Sequence, residues 1–450
     1  VRMKKALSRT FIVLAVTALF AGGLLLYYIK LGFMGGRWAT YPTNRHLYSN
    51  GELVKAGSVT DRDGVVLAAT VNGKRTYHKN LKIRKATLHA VGDSKGNIST
   101  GVQAAFLKEL CGYDPLNGVY NVSGKGNDIQ LTLNSGLCAA ALTQLGSEAG
   151  TVGVYNYKTG EIVCMVSTPT YDPQSSVEPT AKGVYVNRLL SGIYTPGSVF
   201  KLVTTLSALE NLKDVHTMQF TCHRGVTLHN EWLSCMGNHG TVGIEKALVG
   251  SCNAFFSQTA LKIGRENLTA TAQKVGFNKK LSVDGIECAQ SSYQVAGSND
   301  IDFGWSGIGQ FNDLINPLQF LSFVGAIANG GVRTMPYMVR SIRSPSGFQL
   351  RGAKTGNTRL MSKENSEQLQ QMMRKNVVEN YGDAKFADLK VCGKTGTAEV
   401  GKNASPHSLF AGFCANEKYP YAFIVVVENA GSGNGAAVRI AANVLRSLEN

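Results

Sequence analysis

From Phe11 to Ile29 the chain runs nineteen residues without a charge and with one aliphatic hydroxyl, Thr17. At about 1.5 Å per residue such a helix is roughly 28 Å long, close to the hydrocarbon thickness of a bilayer. Arg2, Lys4, Lys5 and Arg9 precede it, and basic flanks stay on the cytoplasmic side. A cleaved signal peptide is the competing reading. The run is longer than an ordinary signal-peptide core, and no small-x-small cleavage site follows it before Tyr27. The expectation is an uncleaved anchor: 1–10 a cytoplasmic tail, 11–29 a single membrane pass, and the rest extracytoplasmic. That placement removes nucleic acid from the expected partners. The net charge of +16, from 46 Lys and Arg against 30 Asp and Glu, then points to an acidic membrane surface or an anionic wall polymer.

Disorder is excluded for the bulk of the chain, since 44% of it is hydrophobic and only 11 residues are Pro. Residues 30–150 are rich in Lys, Arg, Asn and Gly with short apolar runs, which predicts a small mixed, β-rich domain of hairpins. Residues 151–450 differ. Strands are expected at 151–157 and 161–167 around a Lys158-Thr159-Gly160 turn, and at 389–400, 408–415 and 421–428. Helical spacing marks 137–146, 198–212, 244–249, 254–263, 317–328, 363–378 and 436–447. One sheet flanked by helices is the expected architecture. The nine cysteines are odd in number and too few for a disulfide scaffold. Cys222 and Cys235 lie close in sequence with His223, His229 and His239 around them. Ordinary thiols, a disulfide-closed loop, and a zinc site of Cys222, Cys235 and His239 all remain open.

Ser198-Val199-Phe200-Lys201 is the only Ser-x-x-Lys in the chain and opens a helical window. A spacing of three puts hydroxyl and amine on one helix face, where a neutral amine can activate the hydroxyl as a nucleophile. Neutrality requires the lysine pKa to fall from about 10.4 to near 7.5, at a cost of roughly 4 kcal/mol, through burial or a neighbouring cation. Ser251-Cys252-Asn253 and Lys394-Thr395-Gly396-Thr397 follow. Ser-x-Asn recurs at Ser432, and Lys-Thr-Gly at Lys158 and Lys354. Context favours the 394 copy, which lies in an expected strand with two further strands to pair with.

The ordered set Ser-x-x-Lys, Ser-x-Asn, Lys-Thr-Gly resembles the signature of penicillin-binding proteins and serine β-lactamases. The phrases around it sharpen the likeness: 194–201 reads YTPGSVFK, 250–253 GSCN, 393–399 GKTGTAE, and IGQ at 308–310 precedes NPLQ at 316–319. GSVTDRDGVVLA at 57–68, with Asn44-Arg45 before it, resembles the opening segment of class B penicillin-binding proteins, and of the penicillin-binding protein A branch in particular. Three departures stand out. Val199 replaces the usual Thr, Phe311 stands where Gly is usual, and Leu409 where Trp is usual. The resemblance implies an α+β penicillin-recognising transpeptidase fold with an antiparallel five-stranded sheet, an N-terminal pedestal and one transmembrane helix.

The resemblance also implies a D,D-transpeptidase acting on peptidoglycan stem peptides and inhibited covalently by β-lactams, with no cofactor. Ser198 would attack the penultimate D-Ala carbonyl and Lys201 would take its proton. Ser251 would relay that proton to the leaving D-Ala, and Asn253 would position Lys201 and the donor amide. Lys394 would hold Lys201 neutral by like charge. Thr395 and Thr397 would bind the terminal carboxylate, and Gly396 would let substrate approach the strand. The N–H groups of Ser198 and Thr397 would form the oxyanion hole. A Glu-x-x-Leu-Asn deacylation loop is absent from the sequence, so the acyl-enzyme should last. The anchor and pedestal would pair with a membrane-embedded glycan polymerase of the SEDS family. A D,D-carboxypeptidase and a non-catalytic β-lactam-binding scaffold are the alternatives.

Overall fold

A computed structural model describes residues 2–41, 44–49, 52–114, 119–120, 125–399, 405–431 and 435–448. Helix α1 (Arg2–Ala39) is longer than the apolar run that predicts it. Within its stretch Met3–Gly35 an 18-residue window has mean hydropathy 2.2 with none of that window buried, so the helix is long and apolar enough to cross a membrane. The helix ends where polar groups take over its last carbonyls. Asn44 Nδ2 and Tyr120 Oη both donate to Ala39 O, at 2.5 and 2.6 Å, which ties the anchor to the domain that follows.

That domain is built on β1 (Val59–Thr60), β2 (Val66–Val71), β3 (Lys74–Tyr77) and β4 (Asp128–Leu131). Then come α2 (Ser135–Leu145), β5 (Gly150–Asn156), β6 (Ile162–Thr168), α3 (Lys201–Asn211), α4 (Asn253–Ile263) and α5 (Pro317–Ala328). The chain continues through β7 (Val339–Arg343), β8 (Gln349–Gly352), α6 (Lys363–Asn376), β9 (Val391–Ala398), β10 (His407–Cys414), β11 (Tyr421–Val427) and α7 (Ala436–Arg446).

The larger domain rests on a fully antiparallel five-stranded sheet in the order β6-β5-β11-β10-β9. α5 packs on one face, α2 and α7 on the other, and α6 beside β9. Because helices cover both faces, β6 and β11 are buried almost end to end. Their apolar runs therefore do not alternate, as they would in a half-solvated sheet. Asn316 caps α5 by accepting from Gln319 N at 3.1 Å, with Pro317 in the first turn.

The second sheet runs β8-β7-β4-β1-β2-β3 and is antiparallel except for β1 beside β4. It joins strands on either side of residue 150: β7 and β8 come from 339–352 and extend the sheet of 59–131. The segment at 57–68 builds the junction. Asp61 accepts from Asp63 N and Val65 N in its own turn, and from Ser135 Oγ at 2.7 Å at the start of α2. Arg62 and Arg340 both pair with Glu161 of the β5–β6 hairpin.

Candidate active site

The helical window at 198–212 is two kinds of helix. Gly197–Phe200 form a 3-10 turn and α3 begins at Lys201. In a 3-10 turn residues i and i+3 eclipse, which brings Lys201 Nζ to 3.1 Å from Ser198 Oγ. Lys201 is fully buried and Ser198 is half-buried.

Ser251 and Asn253 close on the amine from the loop that enters α4. Lys201 Nζ lies 2.7 Å from Ser251 O and 2.7 Å from Asn253 Oδ1. A neutral amine has two hydrogens and one lone pair. The two carbonyl oxygens take the hydrogens, and the lone pair is left for the Ser198 hydroxyl. Asn253 is oriented in turn by donating from Nδ2 to Ser234 O at 3.0 Å. Ser251, in the left-handed region at φ 54°, sets its Oγ 3.2 Å from Lys201 Nζ and 3.0 Å from Lys394 Nζ. The hydroxyl thus bridges the two amines.

Burial, and secondarily the Lys394 ammonium, lowers the Lys201 pKa to about 7. Burial lowers Lys394 to about 7 as well. The order of causes differs from the expectation that like charge is what neutralises Lys201; desolvation is the larger effect.

Of the three Lys-Thr-Gly copies, only Lys394 is buried, while Lys158 and Lys354 are exposed. The Ser-x-Asn copy at 432–434 lies outside the described residues. In β9, Lys394 and Gly396 share one face, and Thr395 and Thr397 alternate to the other. Gly396 faces the protein. A Cβ there would lie 2.5 Å from Pro196 O and 3.2 Å from Val199 Cγ1. The glycine admits the Gly197–Phe200 turn against β9, a reason other than the expected room for substrate. Gly197 makes the turn's half of the same contact, at φ 54° and with Cβ space blocked 2.4 Å away by Thr397 O. Leu409, opposite Gly396 in the register, is fully buried. Phe311 is held at φ 75° and stays 40% exposed, a conformation that a Gly at this position would adopt without strain.

Tyr381 is a site residue that the sequence pattern does not reveal. α6 ends at Asn376 and a π turn, Val377–Tyr381, follows, which runs past the expected helix end at 378. Its five-residue period aligns Asn376 with Tyr381. Tyr381 Oη accepts from Asn376 Nδ2 at 2.8 Å and from Thr395 N at 3.1 Å, and lies 2.9 Å from Thr395 Oγ1. The backbone of the Lys-Thr-Gly strand is pinned from behind.

Cys222, Cys235 and His239 do come together, and Cys252 of the Ser-x-Asn loop joins them as a fourth, unexpected member. His229 instead pairs with Asp300.

The penicillin binding protein transpeptidase domain family matches residues 150–446. The peptidoglycan D,D-transpeptidase PbpA of Mycolicibacterium smegmatis is 27% identical over 348 residues, 70% of each chain. The D,D-transpeptidase domain of a peptidoglycan glycosyltransferase from Eggerthella lenta is 27% identical, with TM-score 0.78 over 88% of this chain and 98% of that one. Penicillin-binding protein A of Mycobacterium tuberculosis, solved as its penicillin G acyl-enzyme, is 25% identical, with TM-score 0.77 over 88% of this chain and 100% of that one. With two thirds of its length in the family match, and with Ser198 and Ser251 beside the Lys201 amine and Lys394 beside Ser251, this chain belongs to the penicillin-binding protein transpeptidases, in their class B branch.

Proposed function

We propose that the chain cross-links peptidoglycan stem peptides through an acyl-enzyme on Ser198. The observation that carries the reading is the Lys201 amine, fully buried, with two carbonyl oxygens taking its hydrogens and Ser198 Oγ at 3.1 Å. In this mechanism Lys201 takes the Ser198 proton as Oγ bonds to the penultimate D-Ala carbonyl carbon. The carbonyl oxygen becomes an oxyanion, held by the N–H groups of Ser198 and Thr397, each such donor contributing about 3 to 4 kcal/mol. The C–N bond then breaks. Once Lys201 has taken the Ser198 proton, its third hydrogen can reach Ser251 Oγ, 3.2 Å away and also 3.0 Å from Lys394 Nζ, and Ser251 passes a proton to the departing D-Ala nitrogen as it takes that one up. An amine of a second stem peptide attacks the acyl carbon, its proton returns through the same path, and Ser198 is released. Lys394 attracts the terminal carboxylate, and the Thr395 and Thr397 hydroxyls receive it. α1 holds the catalytic domain at the outer membrane face, where α1 and the adjoining sheet would meet a SEDS-family polymerase.

The test is labelling of the full chain by a fluorescent penicillin, followed by product analysis on lipid-linked glycan. Wild type should label, Ser198→Ala should not, and cross-linked dimers should form. Trimmed monomers alone would make the enzyme a carboxypeptidase, and equal labelling of both proteins would displace Ser198 as the nucleophile.

Tyr381 is a positioning residue in this scheme. Tyr381→Phe removes the acceptor of Thr395 N–H, a loss of about 1–3 kcal/mol for a buried donor left unpaired. Because Thr395 binds the carboxylate and not the reacting carbon, KM should rise about tenfold with kcat less affected. Unchanged KM with lowered Tm would reduce Tyr381 to a packing role.

A further inference from the structure

We propose that Phe311 determines which acyl donors the site prefers, by packing its ring against an apolar group on the acyl side of the reacting carbonyl. The assignment rests on the transpeptidase reading and adds a recognition element to it. The favoured donors are those with an aromatic or long aliphatic group beside the carbonyl that Ser198 attacks.

The residue is strained where the core does not require it. Phe311 holds φ 75°, a region that bulky side chains rarely enter. Such strain persists only where the surroundings over-determine the backbone, and it gathers at ligand clamps and active sites. Here both flanks are pinned. Before it, Gly309 N donates to Ser306 O and Gln310 N to Trp305 O, each at 3.0 Å, while Gly309 O accepts from Gly197 N at 2.8 Å. After it, the fully buried Asp313 accepts from Ser306 Oγ at 2.9 Å. Leu314 and Ser292 then exchange backbone hydrogen bonds at 2.9 and 2.8 Å. The loop is held in place, yet its one large apolar side chain stays outside the buried core and 40% exposed. The glycine usual at this position would adopt the same φ without strain, so its replacement adds strain and ring together.

The loop stands at the substrate edge of the sheet. β9 is an edge strand. Thr395 N donates to Tyr381 Oη, away from β10, and backbone groups two residues apart face the same way. The N–H and C=O of Thr397 therefore face that outer edge too. Gln310 reaches it, donating from Nε2 to Thr397 O at 3.3 Å. In the proposed reaction the departing D-Ala lies toward Lys394. The rest of the donor then leaves the reacting carbon the other way, past Thr397 and the 309–311 loop. Phe311 follows Gln310 directly, which sets its exposed ring at that end of the strand.

The test compares acylation of the full chain in detergent by two penicillins, read by intact-protein mass. Benzylpenicillin carries a phenylacetyl group, and aminopenicillanic acid is the same nucleus with a bare amine. Phe311→Gly should lower the ratio of the two rates, benzylpenicillin over aminopenicillanic acid, about tenfold, the scale of one aromatic contact. Phe311→Tyr, which keeps the ring, should hold the wild-type ratio. Phe348→Gly, which removes an exposed ring between β7 and β8, should leave it unchanged. Because glycine fits φ 75°, Phe311→Gly should melt in a single transition close to that of wild type. An equal fall in both rates would make the loop a structural element and overturn the proposal, as would an unchanged ratio. Either result, with Ser198 still acylated, leaves the transpeptidase reading standing. Wild type acylated by neither compound would overturn that reading and this assignment with it.

Discussion

Acylation of Ser198 by penicillin should follow a bell-shaped pH profile centred near neutrality, and Lys201→Met should abolish it. Both active-site amines have pKa values lowered to about 7, and both contact Ser251 Oγ. They therefore lose their protons in two steps that belong to the pair. The first loss frees a base for Ser198 and raises the rate. The second removes the remaining charge that attracts the carboxylate and lowers it. Lys201→Met removes the base, and positioned proton transfer contributes about 10²–10⁴ in rate. The same lysine has a signature in stability. An unfolded lysine keeps its proton up to its ordinary value of 10.5. Between pH 7 and 10.5 the unfolded chain then binds more protons than the folded one, so stability rises with pH across that window. Below pH 7 both states carry the proton, and the cost of burying the ammonium is fully present. Replacing Lys201 removes one such proton, and the gain in stability from pH 7 to 10 should flatten by about 1.4 kcal/mol per pH unit. Stopped-flow acylation and thermal melts over that range read both effects. A flat acylation profile, or an unchanged melting slope in the variant, would mean that Lys201 is not the perturbed base.

Much of this site is written locally. The helices at Ile244–Val249 and Pro317–Ala328 begin and end where spacing and capping residues place them. The apolar runs of β5, β6 and β11 are long enough to mark buried strands. Ser198 and Lys201 are three residues apart, so one turn of any helix joins them. The rest depends on what the chain meets at long range. Nothing near 339–352 indicates that β7 and β8 complete a sheet begun at Val59, because the pairing of β7 with β4 across about 210 residues leaves no local pattern. Tyr381 follows an amphipathic helix, and its π turn is set by Thr395 and Gly393 on β9, to which Tyr381 and Asn376 bond. Cys252 looks like the variable middle of Ser-x-Asn until Cys222 and Cys235 arrive beside it. The causes of the lysine shifts are equally non-local, since burial is a property of the assembled core. Gly396 is the clearest case. Its need for hydrogen is visible in the motif, but Pro196 O, the atom that imposes it, comes from a different element.

Gly197→Ala should cost about 10²–10³ in acylation rate while the protein still folds. Gly197 precedes the nucleophile and lies at φ 54°, where an alanine is strained by about 1–2 kcal/mol. The larger effect comes from position. A Cβ at 197 would sit 2.4 Å from Thr397 O and 2.9 Å from Thr397 C, so strand and turn must separate by about 1 Å to reach ordinary contact. Thr397 and Ser198 supply the two oxyanion donors in the proposed mechanism, and they lie on the two sides of that contact. Separating them by such a distance removes the benefit of at least one donor, worth about 10²–10³, and misaligns the attacking hydroxyl. Stability should suffer less. The turn closes through Gly197 N donating to Gly309 O at 2.8 Å, and Gly309 itself would bring a Cβ within 2.1 Å of Gly197 O. The clash is therefore confined to one corner between the turn, β9 and the 307–310 loop, with the five-stranded sheet behind it unchanged. A loss of about 1–3 kcal/mol, the ordinary cost of overpacking, should appear as a lowered Tm with a single cooperative transition. Gly396→Ala, which presses on Pro196 O from the strand side, should reproduce the acylation defect. Retained acylation in both variants would show that the corner yields without moving the donors, and that the oxyanion is stabilised elsewhere.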